Sequence, residues 1–188
     1  MTVLEVLKSA CLYLDVLEEY KNYFNSTTTQ LTENQQNYIS KLLHAFNLVV
    51  KDISSGYVNV KTKEQVELEN NTFNLTNLTK SLHKVLNVYQ NGIRKKFKIF
   101  ETNLVTEFSG KAEIEYSYYP QDLTIKDDFN IFNGKVSIKT LALGVASEVN
   151  FISSNFEEAK IWEERFNNNL KYDLKDSINF KLPSKRWF

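Results

Sequence analysis

The sequence predicts an α+β fold, in which helices and strands occupy separate parts of the chain. Apolar residues recur every three or four positions near the start, alternate with polar ones in the middle, and return to helical spacing after residue 136. One block of strands with helices on either side is typical of α+β proteins. The chain length suits a single domain over residues 1–188.

The first part, residues 1–52, predicts a helical hairpin. Residues 2–24 form one amphipathic pattern, which includes the single cysteine, Cys11, and we expect that thiol to be buried. A polar cluster at 26–29 separates it from a second helix, which Thr32 and Gln35 begin with a capping box. Gly56 ends the helical region, and the two helices should pack antiparallel.

Residues 56–120 predict an antiparallel β block. A strand is expected from Tyr57 to Leu68, and a turn from Phe73 to Thr79, while residues 79–84 could start as a helix before the next strand. Asn91-Gly92 predicts a tight hairpin turn between strands 85–89 and 97–100, because type I′ turns need two residues with positive φ. Strict alternation predicts a further strand from Gly110 to Tyr119.

The last part predicts helices over residues 136–175 and an extended arm over 176–188. A turn is expected at Asn133-Gly134 before them. Residues 153–155 interrupt the helical pattern, which fits one kinked helix or two helices. Phe156, Ala159, Trp162, Phe166 and Leu170 form the apolar stripe of the second part. Pro183 disfavours a helix in the arm.

Composition limits the classes of function. The 23 basic and 23 acidic residues cancel, which removes the case for a nucleic-acid binder based on net charge. The start of the chain lacks the pattern of a signal peptide, and no apolar run is long enough to span a membrane. We therefore expect no membrane partner and synthesis in a bacterial cytoplasm.

No residue set in the sequence suggests catalysis, a cofactor or a metal site. His44 and His83 have no ligand residues at metal-binding spacing. Adjacent carboxylates, such as those at 157–158 and 163–164, point in different directions on a helix, so we interpret them as solvated faces. The chain is therefore expected not to be an enzyme.

Charges are sorted along the β block. Residues 70–100 contain six cations, including Arg94, Lys95, Lys96 and Lys98, and no acid. Residues 101–129 contain seven acids and two lysines. The basic hairpin could contact nucleic acid, meet an acidic strand of a neighbouring copy in a ring, or form solvated sheet edges protected by lysine. Nucleic-acid binding would require Tyr89, Phe97 and Phe100 to face outward.

The arm ends in the residues Lys185, Arg186, Trp187 and Phe188. Tryptophan and arginine are frequent anchors of protein interfaces. The arm is therefore a candidate contact element, which packs on its own domain or docks on a partner.

Several segments resemble a family of phage virion proteins. They are EYSYYP at 115–120, LALGVASE at 141–148, FEEAKIWEERF at 156–166 and LPSKRW at 182–187. In these segments and in its layout the chain is similar to head–tail connectors (adaptors) of the tail tubular protein A group of short-tailed phages. Members often have a Tyr-Cys pair where this sequence has Val149-Asn150.

The resemblance implies a non-enzymatic structural role in the virion, at the head–tail junction. It implies a homo-oligomeric ring, a dodecamer in this family, that binds the portal protein and tail or nozzle proteins around the passage of genomic DNA. Other phage tail or baseplate components, and a nucleic-acid-binding module using residues 80–98, are the alternatives.

Overall fold

The protein is described here from a computed structural model, which covers residues 1–25 and 30–175. The architecture is α+β, with helices at the start, sheets in the centre and helices after them, as the sequence predicted. Contacts within the chain define two compact units. One contains residues 1–49 and the chain from 122 onward, and the other contains residues 50–121.

The first unit begins with helices α1 (Val3–Tyr13), α2 (Leu17–Asn25) and α3 (Glu33–Gly56), the last of which continues into the second unit. The single helix predicted over 2–24 is wrong. The chain turns at Asp15, whose φ is 57°, a left-handed conformation that aspartate tolerates better than most residues. The predicted capping box is confirmed, because Thr32 and Gln35 exchange hydrogen bonds of 3.1 and 3.3 Å.

Helix α1 packs chiefly against α4 (Ile138–Ile152), which in turn packs against α5 (Phe156–Lys175). The hairpin predicted over residues 1–52 therefore does not form from two single helices. Helices α2 and α3 are in contact through Tyr20, which stacks on Tyr38 with 5.4 Å between ring centroids. Cys11 is buried, and burial raises the pKa of its thiol to about 12.

The C-terminal helical pattern forms two helices. Ser153 caps α4, and Ser154 adopts a φ of 62° before α5 begins. Phe156, predicted on the apolar stripe, is instead 55% exposed because it is the first residue of α5, beside this turn. Ala159 and Leu170 of the same stripe are buried. Asn133 and Gly134 form the predicted turn with φ values of 51° and 73°.

The second unit contains two antiparallel sheets. Strands β1 (Lys61–Leu68), β7 (Gly110–Tyr118), β3 (Leu82–Gln90) and β4 (Ile93–Lys95) form the first sheet, in that spatial order. Strands β2 (Thr72–Asn74), β6 (Asn103–Thr106) and β5 (Phe97–Phe100) form the second. The shared core includes Leu68 and Val88 from the first sheet and Leu104 from the second.

The predicted turn at Asn91-Gly92 is confirmed, with φ values of 52° and 77°, but its predicted second strand is wrong. Residues 93–95 pair with β3, and the chain then crosses to the second sheet, where Phe97–Phe100 pairs with β6. The crossing lets Phe97 pack against the shared core. Two smaller predictions are also wrong. Residues 79–84 lead into β3 rather than a helix, and the strand predicted from Tyr57 begins at Lys61.

Candidate functional site

The candidate site in the β unit follows from the crossing between sheets. Strand β4 lies at the edge of the four-stranded sheet, and β5 lies at the edge of the three-stranded sheet. Only Lys96 separates them in sequence. Residues 93–100 therefore present two consecutive edge strands, which are sites where another chain can dock. We call these residues the basic surface.

The basic surface opens into a groove of about 680 Å³. This volume lies in the range of ligand-binding clefts. The groove brings together the four basic residues that the sequence predicted as an interface. Its lining consists of Arg94, Lys95, Lys96, Phe97, Lys98, Val105, Thr106 and Glu107.

The groove carries a strong local positive charge. Arg94, Lys96 and Lys98 are exposed and Lys95 is half-buried. Across residues 1–25 and 30–175, the ion pairs Lys21–Glu18 and Lys63–Glu113 involve none of these four cations. Glu107 is the one acid in the lining. Clefts lined by one sign of charge concentrate partners of the opposite sign.

Large apolar side chains are exposed beside these cations. Ile93 is 63% exposed, Ile99 46% and Phe100 59%. Phe97 is half-buried and lines the groove, whereas the Tyr89 hydroxyl donates a hydrogen bond to Glu115 at 3.0 Å. Of the three aromatic residues that nucleic-acid binding would require to face outward, Phe100 is exposed, and Tyr89 and Phe97 are half-buried.

The two acids of β7, Glu113 and Glu115, already have hydrogen-bond partners in their own sheet. Glu113 on β7 accepts hydrogen bonds from Lys63 at 2.6 Å and from Gln65 at 3.1 Å. Glu115 accepts from Asn87 and Tyr89, and these two hydrogen bonds lower the pKa of its carboxyl. Because these acids have partners within the β unit, β7 is a poor candidate for the acidic strand of a neighbouring interface.

A second charged surface lies on α5, where the sequence predicted only solvated faces. Glu157 and Glu164 lie four and three residues from Ile161, so the three side chains share one face of the helix. Ile161 is 53% exposed. Phe156 and Glu163, seven residues apart, lie beside this face. We call these exposed residues, together with Lys160 between them, the acidic surface.

The acidic surface adjoins a groove of about 500 Å³ in the helical unit. Its wall contains Trp162, whose indole lies 5.5 Å from the Tyr13 ring and 4.8 Å from the Arg165 guanidinium. Glu158 and Ile161 also line it. Tryptophan, tyrosine and arginine together are the residues most often found at the centre of protein interfaces.

Of the two histidines, His44 is exposed on α3, and His83 has neighbours within the β unit. The His83 ring lies 4.9 Å from the Tyr119 ring at a tilt of 47°, and its Nδ1 lies 3.4 Å from the Ser117 hydroxyl. Ser117 is fully buried and also donates to the Lys84 carbonyl, so it is not placed to attack a substrate. Within the described part of the chain, no group of three or more metal-binding side chains occurs.

Lys185, Arg186, Trp187 and Phe188, the other predicted interface residues, lie outside the described residues. Within residues 1–25 and 30–175, no helix is both long and apolar enough to cross a membrane. No protein-family model matches the sequence, and no curated protein matches it.

Proposed function

We propose that this chain is a non-catalytic assembly subunit of a phage head–tail connector. Copies of it form a ring at the head–tail junction of the virion, with twelve subunits in the mature state. The ring binds the portal protein on one side and tail or nozzle proteins on the other, and genomic DNA passes through its centre.

The observation that carries the proposal is that five of the eleven exposed large apolar side chains among the described residues lie on two charged surfaces. They are Ile93, Ile99 and Phe100 on the basic surface, and Phe156 and Ile161 on the acidic surface. Exposed apolar side chains gathered beside charges, rather than scattered singly, are typical of surfaces that become covered by other proteins. A subunit of a ring needs at least two such surfaces.

The segments that resemble connector proteins give independent support. EYSYYP runs through the end of β7, LALGVASE lies within α4, and FEEAKIWEERF begins α5. The last of these segments contains both the acidic surface and Trp162.

The test is the location of the chain in phage particles. An affinity-purified antibody against the full chain should label the neck between head and tail in electron micrographs. A cryo-electron-microscopy map of the same particles should place it in a ring next to the portal. Particles without the chain, or a position on the capsid surface or in the baseplate, would refute the proposal.

A further inference from the structure

Two surfaces of opposite charge, each with exposed apolar side chains, occur on the same chain. The basic surface has four cations and no acid within residues 93–100. The acidic surface has three carboxylates, Glu157, Glu163 and Glu164, and one cation, Lys160. Each surface therefore has the charge and the apolar content that would suit the other as a partner.

From this complementarity we infer that the basic surface of one copy docks on the acidic surface of the next copy. The inference rests on the proposed function and identifies the contact between its subunits. In the interface, Lys96 and Lys98 face carboxylates of α5, and Phe100 and Ile99 pack near Phe156 and Ile161.

The same charges exclude simpler modes of self-association. A contact between two basic surfaces or between two acidic surfaces would bring like charges together, which costs several kcal/mol across an interface. A two-fold dimer through either surface alone is therefore disfavoured. Docking of unlike surfaces is heterologous, and such contacts close into a ring when the rotation between copies permits it.

The acids that face the basic surface of another copy are those of α5 and not those of β7. The acids of β7 have partners within their own sheet, because Glu113 bonds Lys63 and Gln65 while Glu115 bonds Asn87 and Tyr89. Glu157, Glu163 and Glu164 are exposed on α5, and none belongs to an ion pair within the described residues. They are available to the lysines of another copy.

The experiment is a charge exchange between the two surfaces of the full chain. The first variant is Lys96→Glu/Lys98→Glu, and the second is Glu157→Lys/Glu164→Lys. Sedimentation velocity at low salt measures the association of each variant, of the wild type and of an equimolar mixture of the two variants. Thermal unfolding of each variant confirms that it is folded.

We expect the wild type to assemble beyond its monomer mass of 22.0 kDa. Each variant should associate at least about tenfold more weakly, because its exchanged residues then face residues of their own sign on the partner surface. The mixture should regain assembly, because every contact between unlike variants again joins opposite charges. The control Lys84→Glu/Lys135→Glu is matched to the first variant, because it changes the net charge by the same amount at exposed lysines outside both surfaces. It should assemble as the wild type does.

Three results would overturn the inference. One is a wild type that stays monomeric, another is variants that associate as the wild type does, and the third is a mixture that regains nothing. A monomeric wild type that binds labelled oligothymidylate, with binding lost in Lys96→Glu/Lys98→Glu, would assign the basic surface to single-stranded nucleic acid instead. None of these results decides the position of the chain in particles, so failure of the inference and failure of the proposed function are distinguishable.

Discussion

At the scale of single residues, Glu64 accepts more of the described side-chain hydrogen bonds than any other carboxylate of the β unit. Its Oε2 accepts hydrogen bonds from the Tyr116 hydroxyl at 2.7 Å and from the Thr79 hydroxyl at 2.5 Å, and the Thr79 amide lies 3.1 Å away. Burial alone would raise the pKa of Glu64, but the hydrogen bonds from Thr79 and Tyr116 together lower it below its usual value. Glu64 thereby ties β1 to β7 and to the segment before β3.

Replacement of Glu64 by alanine should destabilise the protein. Tyr116 is fully buried, so its hydroxyl would lose its acceptor where little water can replace it. We expect the free energy of unfolding to fall by about 1 to 2 kcal/mol in urea denaturation at neutral pH. Glu64→Gln, which keeps an acceptor oxygen, is the control and should lose less. Equal losses in both variants would show that the hydrogen bonds contribute little.

Ionisation of Glu64 also makes the stability of the fold depend on pH, with stability lost as the pH falls. Because the pKa of Glu64 is lower in the folded than in the unfolded protein, its ionised form stabilises the fold at neutral pH. That contribution falls as the pH drops below about 4.3, the usual pKa of glutamate, towards the folded value. In Glu64→Gln the loss of stability over this acidic range should be shallower than in the wild type.

At the scale of elements, the sequence predicted the turns that use asparagine and glycine. Asn91-Gly92 and Asn133-Gly134 both have the expected positive φ angles. The missed boundaries lie at Asp15 and Glu101, which adopt φ values of 57° and 52° without a neighbouring glycine. Glu101 begins the turn between β5 and β6, so its lack of a turn signature explains why the wrong partner was predicted for residues 97–100.

Gly144 lies where α4 packs most closely within the helical unit. A Cβ atom added there would lie 2.8 Å from the Val49 Cγ1 atom on α3 and 3.1 Å from the Phe166 ring on α5. Val49 is buried and its branched side chain has few alternative rotamers, so it cannot easily move away. The glycine is required here for close packing rather than for an unusual backbone angle.

Gly144→Ala should therefore destabilise the protein despite the higher helix propensity of alanine. Overpacking costs about 1 to 3 kcal/mol and the propensity gain is at most about 1 kcal/mol, so we expect a net loss of about 1 to 2 kcal/mol. Denaturant unfolding measures it. Gly56→Ala is the matched control at the end of α3, where an added Cβ meets no atom within 4 Å, and it should be neutral or slightly stabilising. A stabilising Gly144→Ala would show that Val49 and Phe166 rearrange freely.

At the scale of the whole molecule, the α+β class was predictable because periodicity is a local property of the sequence. The grouping of elements was not, because α4 and α5 pack with α1 from the opposite end of the chain. Such contacts depend on long-range complementarity that hydrophobic spacing does not encode.

For the two charged surfaces, too, the sequence could predict which residues are neighbours along the chain but not how the fold exposes them. The cations of the basic surface are adjacent in sequence, so the sequence could place them together. Their exposure at two sheet edges depends on the crossing from β4 to β5, which the predicted hairpin lacked. The acidic surface was missed because its carboxylates resemble an ordinary solvated helix face. The available signal was the pair of large apolar residues, Phe156 and Ile161, among those carboxylates.

Residues 176–188, the predicted arm, lie outside the described part of the chain. Described residues already fill the core of the β unit and the contacts between α1, α4 and α5. Deletion of residues 182–188 should therefore leave the thermal unfolding midpoint within a few degrees of the wild type, as expected when little core packing is lost. It should abolish incorporation into particles, because Trp187 and Arg186 are the interface-type residues of the arm. Immunoblots of purified particles measure incorporation, and sedimentation velocity of the truncated chain shows whether the two charged surfaces still associate. If the truncated protein unfolds instead, the arm belongs to the core, and its assignment as a docking element is wrong.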